Sequence, residues 1–201
     1  MNKKILRLTI FGIIFVSVLG FFSHFIYELS GNNYFAGLVT PINESVWEHM
    51  KLIFFPMLLF SGTAKLFSKN ACIGTAFSKG IIFGTLLIPM LFYTYSGAIG
   101  YNISYIDISI FFISVAAAFI VFFKSSVKCN LKKTDEIYPL IVFIILVMFL
   151  LFTYNPPKIS LFESPETQGN QIGLSASQLY KAKNCVVNYV EQLCVDIFGN
   201  Q

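Results

Sequence analysis

The chain has only two histidines, His24 and His49, and they stand close in sequence to Glu28, Glu44 and Glu48. Imidazole nitrogens and carboxylate oxygens are donors that Zn²⁺ takes in a tetrahedral site. In that use the ligands are His24, Glu28 and His49, and the cofactor is zinc or another divalent metal. Glu28 follows His24 by four residues, which places both on one helical face. Carboxylates near a membrane also suit general acid–base work, because a low dielectric favours the neutral, proton-donating form. Glu44, Glu48 and Asp107 are the catalytic candidates, and Tyr93 and Tyr95 are near enough in the topology to join them. Glu44 and Glu48 are four apart, so their carboxylates stack on one face if the helix starts before Glu44. No HExxH, CxxC, Walker loop or GxSxG sequence occurs.

The elements that must position these groups follow from composition. Of 201 residues, 56% are hydrophobic and 12% charged, and the mean hydropathy is +0.71. A soluble domain carries about 25% charged residues, so this chain lacks the polar surface to face water. That excludes a soluble enzyme, a secreted disulfide scaffold and a disordered chain. A spanning helix needs about 20 mainly apolar residues. Five stretches qualify: roughly Ile5–Tyr27, Val46–Phe67, Lys79–Gly97, Ile103–Phe123 and Pro139–Tyr154. The expectation is an all-α polytopic bundle over residues 1–157, with a tail over residues 158–201.

Basic residues set its direction. Lys3, Lys4, Arg7, Lys65, Lys69, Lys79, Lys124, Lys128, Lys132 and Lys133 all fall on one side, while the segments Glu28–Ser45 and Ala98–Asn102 contain no Lys or Arg. The amino terminus is therefore expected in the cytoplasm and the carboxyl terminus outside, with the bundle in a plasma membrane. His24, His49, Glu28, Glu44, Glu48 and Asp107 then share the extracytoplasmic rim. An ionisable group inside a membrane helix costs about 2.5–3.5 kcal/mol on insertion scales, which is why the convergence suggests function. The first span reads as uncleaved, because its apolar run continues past Gly20 and no Ala-x-Ala follows. The basic segments are short and fit the orientation bias, not a nucleic-acid surface. The lipid bilayer is the expected partner.

A non-catalytic explanation fits many of the same residues. Ser45-Val46-Trp47-Glu48 has the form of a capping box, and Glu44 suits a helix amino terminus. Trp47, Tyr27 and Tyr34 make an interfacial belt, and Lys51 is expected to reach the headgroups. Cys72 and Cys129 fall on the cytoplasmic side, where reduced thiols are expected. In the tail, Leu179, Ala182, Val186, Val190, Leu193 and Ile197 recur at helical spacing and form an amphipathic helix, a surface for self-association or a membrane partner. Cys185 and Cys194 lie on opposite faces of that helix, so they cannot pair with each other while it is continuous.

Pro41-Ile42-Asn43-Glu44-Ser45-Val46-Trp47-Glu48-His49-Met50-Lys51-Leu52 resembles the signature of an uncharacterised family of small multi-pass bacterial membrane proteins, P-[VI]-N-E-S-x-W-E-H-x-K-L. His24 with Glu28, and Asn155-Pro156-Pro157 before Leu161-Phe162, extend the resemblance over about residues 1–173. It implies a membrane protein and supplies no activity. Three classes follow from the residues: a metal-dependent or acid–base membrane hydrolase acting on a lipid or peptide at the outer leaflet; a structural or accessory membrane protein; and a small transporter. The almost wholly apolar inner halves of the spans disfavour the last.

Overall fold

The computed structural model describes residues 3–67, 72–129 and 133–164. Every regular element among them is helical: α1 (Lys3–Leu29), α2 (Tyr34–Val39), α3 (Val46–Phe67), α4 (Cys72–Ile99), α5 (Ser104–Val127) and α6 (Ile137–Phe152). Short 3-10 turns at Lys133–Glu136 and Ser160–Phe162 flank α6. The amphipathic tail helix and Cys185 and Cys194 lie outside the described residues.

Helix α3 is the centre of the bundle, packed by α1, α4 and α5. Its Ile53, Phe54 and Met57 are completely buried, and Phe60 meets Phe77 and Phe119 in an aromatic cluster. Close approach is achieved with small residues, as in membrane bundles where dispersion rather than the hydrophobic effect drives association. The buried stripe of α1 is Ile5, Thr9, Gly12, Val16, Gly20 and Ser23. A Cβ on Gly20 would collide with the Leu52 carbonyl of α3, and one on Gly84 of α4 would sit 2.7 Å from the Ala118 side chain of α5. Large apolar side chains such as Phe11, Ile14, Phe22, Ile113 and Phe143 point outward instead. The exterior is thus apolar, while small residues let the helices approach and aromatic rings fill the space between them.

Three helices, α1, α4 and α5, are long and apolar enough to cross a membrane. The other two expected spans coincide with α3 and α6. Helix α3 carries Glu48, Lys51 and Lys65, while α6 has 16 residues. Pro56 and Pro89 sit inside α3 and α4, and both helices continue through them.

Several local expectations need correction. The loop after α1 contains α2, capped by the Asn33 side chain, which accepts from the Phe35 and Ala36 amides. Trp47 does not face an interface: it is buried against Phe149, Phe152 and Phe162. Lys51 does not reach for headgroups and is wholly buried. Cys72 and Cys129 are joined by a disulfide and are not free thiols. The start of α4 and the end of α5 are antiparallel neighbours, which sets the two Cα atoms 5.7 Å apart, within ordinary disulfide range.

Candidate metal site at the end of the bundle

The loop Pro41–Ser45 is shaped by its own polar side chains. The Asn43 carboxamide oxygen accepts from the Ser45 amide at 2.9 Å, an Asx turn that reverses the chain. The Ser45 hydroxyl then accepts from the Glu48 amide at 3.3 Å, starting α3 at Val46. Only half of a capping box forms. The Glu48 carboxylate bypasses the Ser45 amide and accepts from Ile42 N at 3.0 Å and from Lys51 Nζ at 2.7 Å. Because α3 begins after Glu44, the two acidic residues do not stack: Glu48 turns into the bundle and Glu44 stays on the exposed loop.

Glu44 bridges the histidines. Its Oε1 lies 3.6 Å from His24 Nε2, and its Oε2 lies 3.4 Å from His49 Nε2. The two imidazole rings are 5.4 Å apart, and one donor atom from each of the three residues falls within 4.8 Å of the others. His24 comes from the last turns of α1, which Gly20 allows to press against α3. His49 occupies the first turn of α3, and its Nδ1 lies 2.9 Å from the Ser45 carbonyl oxygen. A carbonyl can only accept, so Nδ1 carries a proton; in the neutral ring the Nε2 lone pair then faces Glu44, open to a cation between them, and in the doubly protonated ring Nε2 donates to the carboxylate. Fixing the tautomer through the second nitrogen is the usual way a protein prepares a ligating histidine. His24 Nδ1 is buried without a hydrogen-bond partner among the described residues, so that ring's polar engagement is through Nε2 alone.

Two bonds of about 2.0–2.1 Å meeting at a tetrahedral centre place their donor atoms about 3.3 Å apart. The two carboxylate–imidazole separations, each to a different oxygen of Glu44, are near that value, so one oxygen and both rings would have to close on a shared centre. The side chains are partly open, with 65% of Glu44 exposed and about 30% of His24. An ion here would meet solvent on one side.

The remaining candidates lie elsewhere. Glu28 is exposed on the last turn of α1 and is not among the three clustered donors. Asp107, in the first turn of α5, accepts from the Tyr95 hydroxyl of α4, which itself accepts from Ile103 N at 3.4 Å. That pair clasps the α4–α5 connection.

Sequence reasoning missed the group beneath the cluster. Lys51 Nζ donates to Glu48 Oε2, to Thr153 Oγ1 at 2.7 Å and to the Gly37 carbonyl at 3.0 Å. One ammonium thus joins α2, α3 and the end of α6. The visible signal was the Glu48–Lys51 spacing of three, which meets on one helix face.

A family model described as a family of unknown function (DUF6512) matches residues 1–172, and the chain belongs to that family. No curated protein and no solved structure matches it.

Proposed function

We propose that this member of a family of unknown function is a five-span membrane protein whose His24, Glu44 and His49 bind a divalent cation, zinc by donor type, at the extracytoplasmic rim. There the ion would serve metal-dependent hydrolysis of a lipid or peptide at the outer leaflet. The observation that carries the reading is the donor geometry: two Nε2 atoms converge on one carboxylate, with the His49 tautomer already set by the Ser45 carbonyl. Three protein ligands with an open side describe catalytic zinc, whereas structural zinc is closed by four. Held by these three residues, zinc would supply an activated water as the nucleophile for hydrolysis.

In the topology, α3 and α6 complete the five spans. The charges of α3 are tolerable because Glu48 and Lys51 satisfy each other inside the bundle. The distribution of basic residues favours an amino terminus in the cytoplasm. The Cys72–Cys129 disulfide pulls the other way, since disulfides persist mainly in oxidising compartments. Labelling of single cysteines introduced at Lys3 and Asn102, from each side of sealed vesicles, decides the orientation.

A second reading has its own support. The His24–Glu44 and His49–Glu44 separations are also those of ion pairs, so the cluster would simply fasten α1 to the loop before α3. Metal analysis of detergent-purified protein separates the two. The catalytic reading expects near-stoichiometric zinc or another transition metal in the wild type and none in a folded His24→Gln/His49→Gln variant. Absence of metal from wild type loaded with excess zinc would leave the fastening role.

A further inference from the structure

The opposite end of the bundle carries a second feature that the His/Glu cluster does not use. A recess of about 240 Å³ opens between the start of α4 and the end of α5, lined by Lys79, Lys124, Ser125 and Lys128. Lys79 is held in place: its Nζ donates to Asp135 at 2.9 Å and lies 4.6 Å from the centre of the Tyr138 ring. Lys124 and Lys128 are exposed, and their ammonium groups have no partner among the described residues. They stand one turn apart at the end of α5, Lys128 being the residue that caps it, and like charges at that spacing are destabilising. The negative end of the α5 dipole offsets part of that repulsion.

Two ammonium groups without a described partner, a third shared with the Asp135 carboxylate, and Ser125 line one recess, a set that suits a phosphate group. Its oxygens accept several charge-assisted hydrogen bonds at once, and lysine serves such groups as a point charge. A positive-inside bias explains lysines on this side of the membrane but not their convergence on one cavity. We propose that the recess formed by Lys79, Lys124, Ser125 and Lys128 binds a phosphate group, supplied either by an anionic lipid headgroup or by a soluble phosphate compound. Basic pockets between spanning helices take lipid headgroups in this manner, and Ser125 adds a donor that a purely electrostatic surface lacks.

The test uses the full chain with its disulfide intact. Wild type, Lys124→Gln/Lys128→Gln, Ser125→Ala and the charge-matched control Lys3→Gln/Lys4→Gln are reconstituted in phosphatidylcholine nanodiscs, with and without phosphatidylglycerol or phosphatidic acid. Bound lipid is counted by native mass spectrometry. A parallel arm titrates inorganic phosphate into the detergent-solubilised proteins and follows thermal midpoints. The expected result is retention of anionic lipid, or protection by phosphate, in wild type and in the Lys3/Lys4 control. In the Lys124/Lys128 variant it weakens about 30-fold, roughly five-fold per ammonium. Response to lipid alone identifies a headgroup site, and response to inorganic phosphate identifies a soluble ligand. The proposal is overturned if neither ligand responds, if the Lys124/Lys128 variant behaves as wild type, or if the Lys3/Lys4 control loses binding equally.

Discussion

Lys51→Met is the sharpest probe of how the bundle holds its candidate site. The substitution keeps the apolar stem and removes only the ammonium. Glu48 is 2% exposed and Lys51 is fully buried, so the carboxylate would be left in a dry interior with the Ile42 amide as its remaining described donor. Breaking a buried pair on one side costs about 3–5 kcal/mol, because the surviving charge stays desolvated. Thr153 keeps its own bond to the Phe149 carbonyl, whereas the Gly37 carbonyl loses its donor.

The double variant Lys51→Met/Glu48→Gln removes the stranded charge, and the glutamine carbonyl can still accept from Ile42. The unpaired Gly37 carbonyl is common to both variants; what remains particular to the double variant is the new carboxamide NH2, costing about 1–3 kcal/mol. The double variant should therefore be more stable than Lys51→Met alone by roughly 2 kcal/mol, the difference between those two ranges. Trp47, the only tryptophan, packs on Phe149 beside this pair and reports unfolding by fluorescence in mixed micelles. If Lys51→Met lies within about 1 kcal/mol of wild type, the pair behaves as a solvated surface bridge and the reasoning fails.

Other outcomes follow from the same geometry. Glu44→Gln should abolish metal binding while leaving the metal-free thermal midpoint unchanged, since the side chain is largely exposed; metal retention at wild-type stoichiometry would remove Glu44 from the ligand set. Gly20→Val forces a side chain into the Leu52 carbonyl and should cost at least about 1–3 kcal/mol. It should also lose metal by pushing His24 away from His49, and unchanged stability in the unfolding assay would contradict the close α1–α3 approach. Ser45→Ala removes the acceptor for the Glu48 amide and should destabilise by about 1 kcal/mol, with the His49–Ser45 backbone contact retained; a loss of several kcal/mol would mean the hydroxyl has a larger part. Metal binding should fall on acidification, because a protonated imidazole or carboxyl cannot ligate, and the metal-linked gain in thermal midpoint should vanish with it. A gain that persists in acid or in excess chelator would point to something other than a bound ion.

Composition and segment length made the helical, lipid-facing class legible, because a bilayer leaves a chain few choices. The length of the apolar stretches located four of the main helices to within about four residues at each end, whereas α4 starts at Cys72, seven residues before the expected Lys79. What it could not show is which polar residues turn inward. Hydropathy scores Lys51 by its charge, yet that charge is neutralised by Glu48 and by two oxygens supplied from α2 and from the turn after α6, over a hundred residues away. Trp47 is misplaced for the same reason: an aromatic near a helix end looks interfacial until Phe149 and Phe162 cover it. The Cys72–Cys129 bond depends on α4 and α5 being neighbours, a tertiary fact with no local signal.

The divergence of Glu44 and Glu48 shows how one cap decides the chemistry of the rim. Were α3 to begin two residues earlier, both carboxylates would share a face, and Glu44 would follow the helix surface instead of the loop. The Ser45 hydroxyl and the Asn43 turn stop that extension. They give Glu44 a non-helical backbone from which its carboxylate reaches both imidazoles, while Glu48 enters the helix and meets Lys51. The same cap leaves the Ser45 carbonyl as the acceptor for His49 Nδ1. Asn43, Glu44, Ser45, Glu48, His49 and Lys51 are thus one device: Asn43 and Ser45 set the turn and the helix start, Lys51 and Glu48 anchor it to α2 and the end of α6, and Glu44 and His49 are what it presents to His24. A residue whose loss disturbs the turn should therefore weaken the cluster without touching any of its three donors, and the Lys51→Met variant, measured for metal as well as for stability, is where that coupling is read most directly.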